Sequence, residues 1–380
     1  MKNTIYQAAF GLLTAIAISC AGPQSAAPEW AWTGFERPAG INPIISPDTT
    51  MKMYCELTGD SVAWEGNYTF NPAAAVCDGK IAVLYRAEDL TGVGIGSRTS
   101  RLGYATSTDG LHFQRFPLPV LYPAADSQID REWKGGVEDP RIAKTEDGLY
   151  VMFYTQSNHK VARLAIATSR DLRTWEKHGP AFAKAYDGRF ADLFTKSASV
   201  VTRMNGDDQV IARVNGKYLM YWGEEFVNVA TSDNLVDWTP MLDERGELLR
   251  VFEPREGHFD SNLTECGPPA IITDDGILLF YNGKNTPGNP NDPAYKGDKN
   301  YTAGTYCAGQ ALFDAKEPTK LLDRLDEPFF IPEASFEKSG QYPDGTVFIE
   351  GLVFFGGKWY LYYGCADSHV AVAVYDPAAK

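Results

Sequence analysis

Short apolar runs that end in aromatic residues recur along the chain. Five times a turn containing Gly leads into an apolar strand-like segment, which ends in Tyr or Trp and a small polar cluster. These segments begin at Asp78, Asp147, Gly216, Asp275 and Gly357. Segments that are apolar at nearly every position are typical of strands covered on both faces. The pattern therefore predicts β-strands buried between packed sheets.

A second strand-like segment follows each polar cluster. In the clearest copies, residues 101–113, 162–175 and 226–238, an Ala-Thr-Ser run leads to a turn containing Asp and then to an aromatic residue; the copies at 306–318 and 368–376 are looser. Successive repeats begin roughly 60 to 80 residues apart, which leaves room for about four strands each. Such a unit cannot bury both of its faces alone, so the units must pack around a common axis. We therefore predict an all-β fold, a five-bladed β-propeller, with a β-sandwich as the alternative.

The first twenty residues have the features of a targeting segment. Lys2 precedes a nearly continuous apolar stretch from Ala8 to Ile18, and Ala17-Ile18-Ser19-Cys20 resembles a bacterial lipobox. The apolar stretch is too short to span a bilayer. We predict lipidation of Cys20 and a location in the bacterial cell envelope, on the periplasmic face or the cell surface. Cleavage without lipidation is the alternative.

The chain is predicted to contain three segments. They are a lipoprotein-type signal peptide over residues 1–20, a tether and N-terminal extension over residues 21–45, and a single propeller domain over residues 46–380. The predicted contact with a membrane is therefore through the lipid anchor alone.

Charge and the spacing of Cys and His exclude several classes of function. The formal net charge is −14, whereas nucleic-acid binding needs a basic face. The five cysteines after Cys20 form no C-x-x-C motif, and the five histidines show no H-x-x-H spacing. We therefore predict no nucleic-acid partner, no metal site and no cofactor.

The polar clusters that end the apolar strands are expected to meet at one mouth of the propeller. They are Asn71-Pro72, Arg86-Ala87-Glu88-Asp89, Glu138-Asp139-Pro140-Arg141, Glu224-Glu225, Thr264-Glu265-Cys266-Gly267-Pro268, Asn282-Gly283-Lys284 and Cys365-Ala366-Asp367. Aromatic rings stack on sugar faces, while carboxylates, amides and guanidinium groups bind hydroxyls. The clusters also supply the separated pair of carboxyl groups that glycosidic cleavage requires. The sequence therefore predicts a sugar site.

Adjacent acids in the segment from Gly135 to Arg141 require a bend in the backbone. Side chains of neighbouring strand residues point to opposite faces, so Glu138 and Asp139 reach one pocket only where the strand is distorted. The preceding Gly135-Gly136 and the following Pro140 permit such a distortion. The alternative is a polar turn whose acids pair with nearby arginines.

Several of these motifs together resemble glycoside hydrolase family 130. They are Asn71-Pro72, Tyr85-Arg86, Gly136-Val137-Glu138-Asp139-Pro140-Arg141, Gly267-Pro268-Pro269 and Tyr362-Tyr363-Gly364-Cys365-Ala366-Asp367, and the resemblance extends from about Asn71 to Tyr375. The resemblance implies a five-bladed propeller that acts on β-mannosides. Most well-known members are phosphorylases, and some are inverting hydrolases of β-1,2-mannosidic linkages.

The resemblance also implies roles for individual residues. Asp139 becomes the general acid, which protonates the leaving oxygen through the 3-hydroxyl of the bound mannose. The residues implied to hold the sugar are Asn71, Arg86, Arg141, Lys196, Tyr281 and Asp367. Asp89, Glu138 and Asn282 in the neighbouring polar clusters complete the predicted substrate-binding set.

Departures from the family pattern favour hydrolysis over phosphorolysis. Phosphorylases of this family tend to carry His-Arg where this chain has Glu224-Glu225, and Glu265 stands where a small residue is common. Carboxylates at these positions repel a phosphate dianion and are able to activate water. We predict an inverting, exo-acting hydrolase of β-mannosidic bonds, with β-1,2 linkages preferred, whose general base is Glu225 or Glu265, with Glu224 third.

Three alternatives stay open at this point. The chain could be a phosphorylase of the same β-mannosides, or a non-catalytic glycan-binding lipoprotein. Glu224 and Glu225 could also be salt-bridged residues at the rim of the mouth.

Overall fold

The structure, a computed structural model, describes residues 27–379 and is nearly all β. Within these residues the helical segments are α1 (Ile129–Glu132) and three 3₁₀ turns (Ala185–Gly188, Ser335–Glu337 and Pro377–Ala379). None of the helices in this part of the chain has the length and apolarity needed to cross a bilayer. The all-β prediction is confirmed, whereas the predicted signal peptide and Cys20 lie outside the described residues.

The strands form successive antiparallel groups. A hairpin of β1 (Lys52–Cys55) and β2 (Asp60–Ala63) comes first. The first larger group contains β3 (Tyr68–Cys77), β4 (Lys80–Glu88), β5 (Ser100–Ser107) and β6 (Gln114–Arg115), and the second contains β7 (Gly136–Lys144), β8 (Tyr150–Ser157), β9 (Ala162–Ser169) and β10 (Glu176–Pro180).

The second half of the chain repeats this arrangement with more irregular strands. The third group contains β11 (Ala198–Asn205), β12 (Asp208–Ile211), β13 (Arg213–Val214), β14 (Lys217–Trp222), β15 (Val227–Ser232), β16 (Trp238–Pro240) and β17 (Arg250–Phe252). The fourth contains β18 (Leu263–Cys266), β19 (Ala270–Ile272), β20 (Ile277–Lys284), β21 (Tyr306–Phe313) and β22 (Leu321–Arg324), and the fifth contains β23 (Val347–Phe355), β24 (Lys358–Cys365) and β25 (His369–Tyr375).

The apolar segments of the sequence are the central strands of these groups. They correspond to β4, β8, β14, β20 and β24, and the Ala-Thr-Ser segments correspond to β5, β9 and β15. In β8 every residue except the last is buried, as expected for a strand covered on both faces.

The core lies between neighbouring groups of strands. Phe153 and Ile166 of the second group pack in one cluster with Val200, Trp222 and Trp238 of the third. A comparable cluster joins the first group to the last, since Val83 and Tyr85 pack with Tyr362 and Val372. The mutual burial of these side chains holds the groups side by side.

In three of these groups a bulge interrupts the first strand. The register shifts at Asn71 in β3, at Asp139-Pro140 in β7 and at Glu350 in β23. Asn71 and Asp139 have left-handed backbones, with φ of 46° and 47°. Gly136, with φ of 109°, lies against the backbone of Ser100, where a Cβ atom would collide. A bulge redirects side chains locally, and here the distortion expected around Glu138 and Asp139 is present.

The N-terminal segment lies against the last group of strands. Glu36 exchanges two backbone hydrogen bonds with Val374 in β25, at 2.9 and 2.8 Å. Asn42 donates to the carbonyl of Val372 at 2.8 Å and accepts from its N–H at 2.9 Å. Residues 36–45 thus satisfy the backbone groups on the outer side of β25.

Candidate active site

A small polar cavity lies where the inner strands of the groups converge. Its volume is about 350 Å³, part of which is open to solvent. It is lined by Asn71, Arg86, Asp139, Lys196, Glu265, Tyr306, Tyr342, Thr346, Phe348 and Asp367. Five of the residues that the resemblance implied, together with Glu265, are therefore brought together here.

Asp139 is at the buried end of this cavity. Its side chain is 1% exposed. Oδ1 accepts hydrogen bonds from Asn71 Nδ2 at 2.9 Å and from an Arg86 nitrogen at 3.1 Å. Burial alone would raise the pKa of Asp139, but the charges of Arg86, Lys196 and Arg141 and the Asn71 hydrogen bond hold it well below its usual range.

Arg86 joins Asp139 to two glutamates. It lies 3.1 Å from Glu138 Oε2 and 2.8 Å from Glu88 Oε1, and its guanidinium lies 4.8 Å from the centre of the Phe70 ring. Although burial opposes it, the charges of Glu138 and Asp139 raise the pKa of Arg86. For Glu138 burial dominates, and its pKa is raised. Glu138 is therefore a half-buried partner of Arg86 at the edge of the site.

Lys196 is surrounded by three carboxylates. Its Nζ lies 3.7 Å from Asp139 Oδ2, 3.7 Å from Glu224 Oε2 and 3.6 Å from Glu265 Oε1. Because Asp139 and Glu265 contact the same nitrogen, these two oxygens lie at most about 7.3 Å apart. Burial lowers the pKa of Lys196, but the three carboxylates raise it well above its ordinary value. Lys196 thus stays an ammonium group that links the acid to the two glutamates.

The glutamates predicted as general bases have different environments. Glu265 on β18 is 2% exposed and accepts a hydrogen bond from Ser197 Oγ at 2.5 Å. Glu224 is partly buried, and burial raises its pKa. The side chain of Glu225 is exposed, and only its carbonyl is used, by Thr264. The structure therefore brings Glu265 and Glu224 to Lys196 and leaves Glu225 in solvent.

Asp367 closes the cavity beside Arg86. It follows β24 in a left-handed conformation with φ of 48°, as does Ala366. Burial, only partly offset by Arg86, raises the pKa of its carboxyl to about 7. Nearby, Gly364 lies against the amide of Asn71, and a Cβ atom at this position would collide with Asn71 Oδ1. The Tyr-Tyr-Gly-Cys-Ala-Asp motif thus supplies both a carboxyl group and the space for Asn71.

Arg141 supports the cavity without lining it. It is fully buried, donates to the carbonyl oxygens of Asp139 at 3.0 Å and Cys266 at 2.7 Å, and lies 2.8 Å from Glu350. These contacts occupy its guanidinium within the protein. Arg141 is thus not brought to the cavity, and its side chain holds the backbone of the Asp139 bulge in place; direct binding of the sugar by Arg141 stays a prediction.

Three more of the predicted sugar-binding residues have their polar atoms engaged away from the cavity. Asp89 is bound to Arg101 at 2.7 Å and to the Thr91 hydroxyl at 2.5 Å. Tyr281 donates to Asp260 at 2.7 Å and accepts from Arg324 at 3.0 Å. The amide of Asn282 both donates to and accepts from the backbone of Ile349, at 3.1 and 2.8 Å. The structure does not bring these three side chains to the cavity; they fasten strands together.

Sequence reasoning missed one wall of the cavity. It is formed by Tyr306, Tyr342, Thr346 and Phe348. The ring of Tyr306 lies 5.9 Å, centre to centre, from those of Tyr342 and Phe348, edge to face in both cases. Tyr306 begins one of the looser repeats, and the other three residues belong to no motif that was recognised.

Metal ligands do not cluster in the described part of the chain. Within residues 27–379, no group of three or more His, Cys, Asp or Glu side chains has an arrangement that could hold a metal ion.

Comparison with known proteins shows which family the chain belongs to. A family model described as β-1,4-mannooligosaccharide phosphorylase matches residues 40–377. The chain belongs to glycoside hydrolase family 130. It is 31% identical to a 1,2-β-oligomannan phosphorylase of Thermoanaerobacter sp. strain X514, over 82% of this chain and 91% of that protein. Family 130 acts on β-mannosidic linkages, and so the resemblance inferred from the motifs is confirmed.

Solved structures of similar proteins share both sequence and fold with this chain. A glycosyl hydrolase from Bacteroides ovatus is 64% identical, with a TM-score of 0.90, covering 93% of this chain and 96% of that one. A second solved structure is 63% identical, with the same TM-score and coverage. It represents the GH130 family of mannoside phosphorylases, which contains glycoside hydrolases that target β-1,2 mannosidic linkages in Candida mannan. This likeness supports a β-propeller-like fold for the chain.

Proposed function

We propose that the protein is an inverting, exo-acting hydrolase of β-mannosidic bonds, with β-1,2 linkages as its substrate. The observation that carries the proposal is the position of Glu265 and Glu224, which both contact Lys196, the ammonium group that also contacts Asp139. We propose further that residues 46–380 are one catalytic domain, in which the five larger strand groups are the blades of a propeller.

Asp139 is the general acid in this proposal. An acid catalyst must carry a proton, whereas the pKa of Asp139 is low because Arg86 and Lys196 are close. Sugar hydroxyls that enter between Asp139 and these cations separate the charges, and the loss of water around the carboxylate disfavours its ionised form, so both effects raise its pKa. The acid therefore acquires its proton as the substrate binds, which matches the proton path through the 3-hydroxyl that the family resemblance implies.

Glu265 is the preferred general base, with Glu224 next. An inverting enzyme holds a water molecule between two carboxyl groups that are roughly 6.5–9.5 Å apart. The distance between Asp139 Oδ2 and Glu265 Oε1 is at most about 7.3 Å, so only the lower end of this range is open to the pair. Ser197 and Lys196 both contact Glu265 Oε1, which orients the carboxylate towards the cavity. Glu225, which is exposed, is no longer preferred.

Phosphorolysis is the second candidate, because the relative that is 31% identical is named a phosphorylase. A phosphate dianion needs cations that are free to bind it. The cation nearest to the base position is Lys196, and three carboxylates already neutralise it. A dianion that approached Lys196 would therefore meet Glu224 and Glu265, and the repulsion would oppose binding.

The test is product analysis with β-1,2-mannobiose in the presence and absence of phosphate. Release of α-mannose without phosphate, observed by NMR, supports an inverting hydrolase. Mannose 1-phosphate formed only with phosphate would make the protein a phosphorylase, and binding without any product would make it a glycan-binding protein. Glu265→Gln is expected to lower kcat about 10²–10⁴-fold, whereas the matched variant Glu225→Gln leaves kcat close to that of the wild type.

We also propose that the protein is exported and anchored by a lipid on Cys20, on the basis of the lipobox-like sequence Ala17-Ile18-Ser19-Cys20. Growth of a producing bacterium with an alkyne-labelled fatty acid tests the anchor. Label is expected on the wild type and not on Cys20→Ala, and an unlabelled wild-type protein in the soluble fraction would contradict the proposal.

A further inference from the structure

We propose that Thr346 is a substrate-binding residue whose hydroxyl contacts a hydroxyl group of the bound sugar. This inference rests on the proposed function and adds a contact that the sequence motifs do not include. Thr346 lines the cavity together with Asp139 and Lys196, and its side chain is 1% exposed. Its Oγ1 has no hydrogen-bond partner among the described residues.

The backbone of Thr346 is held from three sides. Its N–H donates to the carbonyl of Glu337 at 2.8 Å, its carbonyl accepts from Ala366 at 3.2 Å, and it forms a parallel bridge with Tyr306. A β-branched side chain has few rotamers, so the fixed backbone also restricts the hydroxyl. The side chain of Thr346 is thus held at a nearly constant position in the wall of the cavity, as a binding residue requires.

A buried hydroxyl without a partner destabilises a protein, so its presence calls for a reason. Valine has nearly the same shape and would fill this position without an unsatisfied group. The same cavity contains a second unpartnered polar atom, Asn71 Oδ1, whose side chain is 5% exposed. Thr346 and Asn71 both line the cavity that contains Asp139, and a ligand with several hydroxyl groups would supply the missing hydrogen-bond partners.

The chemistry of this wall fits a neutral sugar. A threonine hydroxyl both donates and accepts, and it therefore suits another hydroxyl, which does the same. Tyr306, Tyr342 and Phe348 surround it with aromatic rings, which pack on the C–H face of a pyranose. The same cavity contains the charged side chains of Arg86 and Asp139. Thr346 is expected to select for one particular hydroxyl of the sugar.

The test combines substitutions of Thr346 with β-1,2-mannobiose analogues that each lack one hydroxyl of the non-reducing mannose. In the wild type, one analogue is expected to lose about 5- to 150-fold in kcat/KM because Oγ1 is left unpaired. Thr346→Val should show a similar loss with the full substrate and no additional loss with that analogue. Thr346→Ser, which keeps the hydroxyl, should retain the wild-type pattern.

The thermal stability of the protein without substrate gives an independent test, because the substitution is expected to maintain or raise stability while it weakens substrate binding. Thr346→Val removes an unsatisfied buried group, so its thermal midpoint should equal or exceed that of the wild type while its substrate binding is weaker. Thr346→Ala replaces it if the valine variant does not fold. If the wild type is active and the valine or alanine variant has a normal kcat/KM and discriminates among the analogues as the wild type does, the role of Thr346 alone is overturned. A wild type that neither cleaves nor binds β-1,2-mannobiose overturns the proposed function as well.

Discussion

Replacement of Lys196 by Met is expected to destabilise the protein in a pH-dependent way. The ammonium group lies 3.6–3.7 Å from each of three carboxylates and is 25% exposed. At an effective dielectric constant of about 20, one such contact corresponds to about 4 kcal/mol of attraction. Mutual repulsion of the carboxylates and desolvation of the ammonium reduce the net effect. Loss of one partner from a buried ion pair costs about 3–5 kcal/mol, which we expect at pH 8.

The pH dependence follows from the direction of the pKa shifts. Lys196 holds the pKa of Asp139 below its usual range and opposes the rise that burial causes in Glu224. Without Lys196 the folded-state pKa values of both acids rise. An acid with a raised pKa in the folded state loses its stabilising contribution as the pH increases through that value. The stability difference between variant and wild type should therefore be large at pH 8 and small at pH 5.

The assay is thermal unfolding of both proteins at pH 5 and pH 8, with Lys184→Met as the matched control. Lys184 pairs with Asp237 at 2.9 Å, but its side chain is 74% exposed, and such pairs contribute about 0–1 kcal/mol. The control should be close to the wild type at both pH values. A Lys196→Met protein whose midpoint equals that of the wild type at pH 8, or differs from it equally at both pH values, would refute the reasoning.

Three further predictions concern the cavity and the residues behind it. Asp367→Asn should become more stable than the wild type as the pH rises from about 4 to 8. The wild type loses stability over this range because a carboxyl with a pKa of about 7 in the folded state must ionise. Melting temperatures of the two proteins that change in parallel with pH would contradict this. Gly364→Ala should cost about 1–3 kcal/mol and lower kcat/KM, since the new methyl group displaces Asn71; melting and steady-state kinetics check both, and normal values for both would show that the amide can move. Tyr281→Phe should cost about 1–3 kcal/mol because Asp260 loses a buried partner, yet leave kcat/KM unchanged; a large rise in KM would return Tyr281 to the substrate site.

The strands and the bend at Asp139 could be predicted because both are local properties of the sequence. Apolar runs bounded by Gly turns specify β4, β8, β14, β20 and β24 without knowledge of their neighbours. The Gly-Gly before Glu138 and the Pro after Asp139 likewise allow a distortion at one place. The motifs then led to the correct family. The resemblance to that family implied five of the ten residues that line the cavity.

The roles of the other site residues depend on where their side chains point, which the spacing of residues in the sequence does not determine. Glu224 and Glu225 are adjacent, and the turn at Gly223, with φ of 127°, directs only the first to Lys196. Tyr281 and Asn282 end an apolar strand as expected, but they point into the contacts between neighbouring strands. Thr346 is a single small residue before β23, and only the convergence of distant segments gives it a role.

The pairing of residues 36–45 with β25 has a consequence for how the protein avoids self-association. Asn42 and Val372 are 330 residues apart, so the segment that covers β25 is synthesised long before the strand itself. Without this cover, β25 would present unpaired N–H and C=O groups beside Val370, Val372 and Val374, and strands of other chains could add to them. The N-terminal segment therefore acts as a built-in cover against intermolecular strand addition, and its removal would turn the last sheet into a template for aggregation.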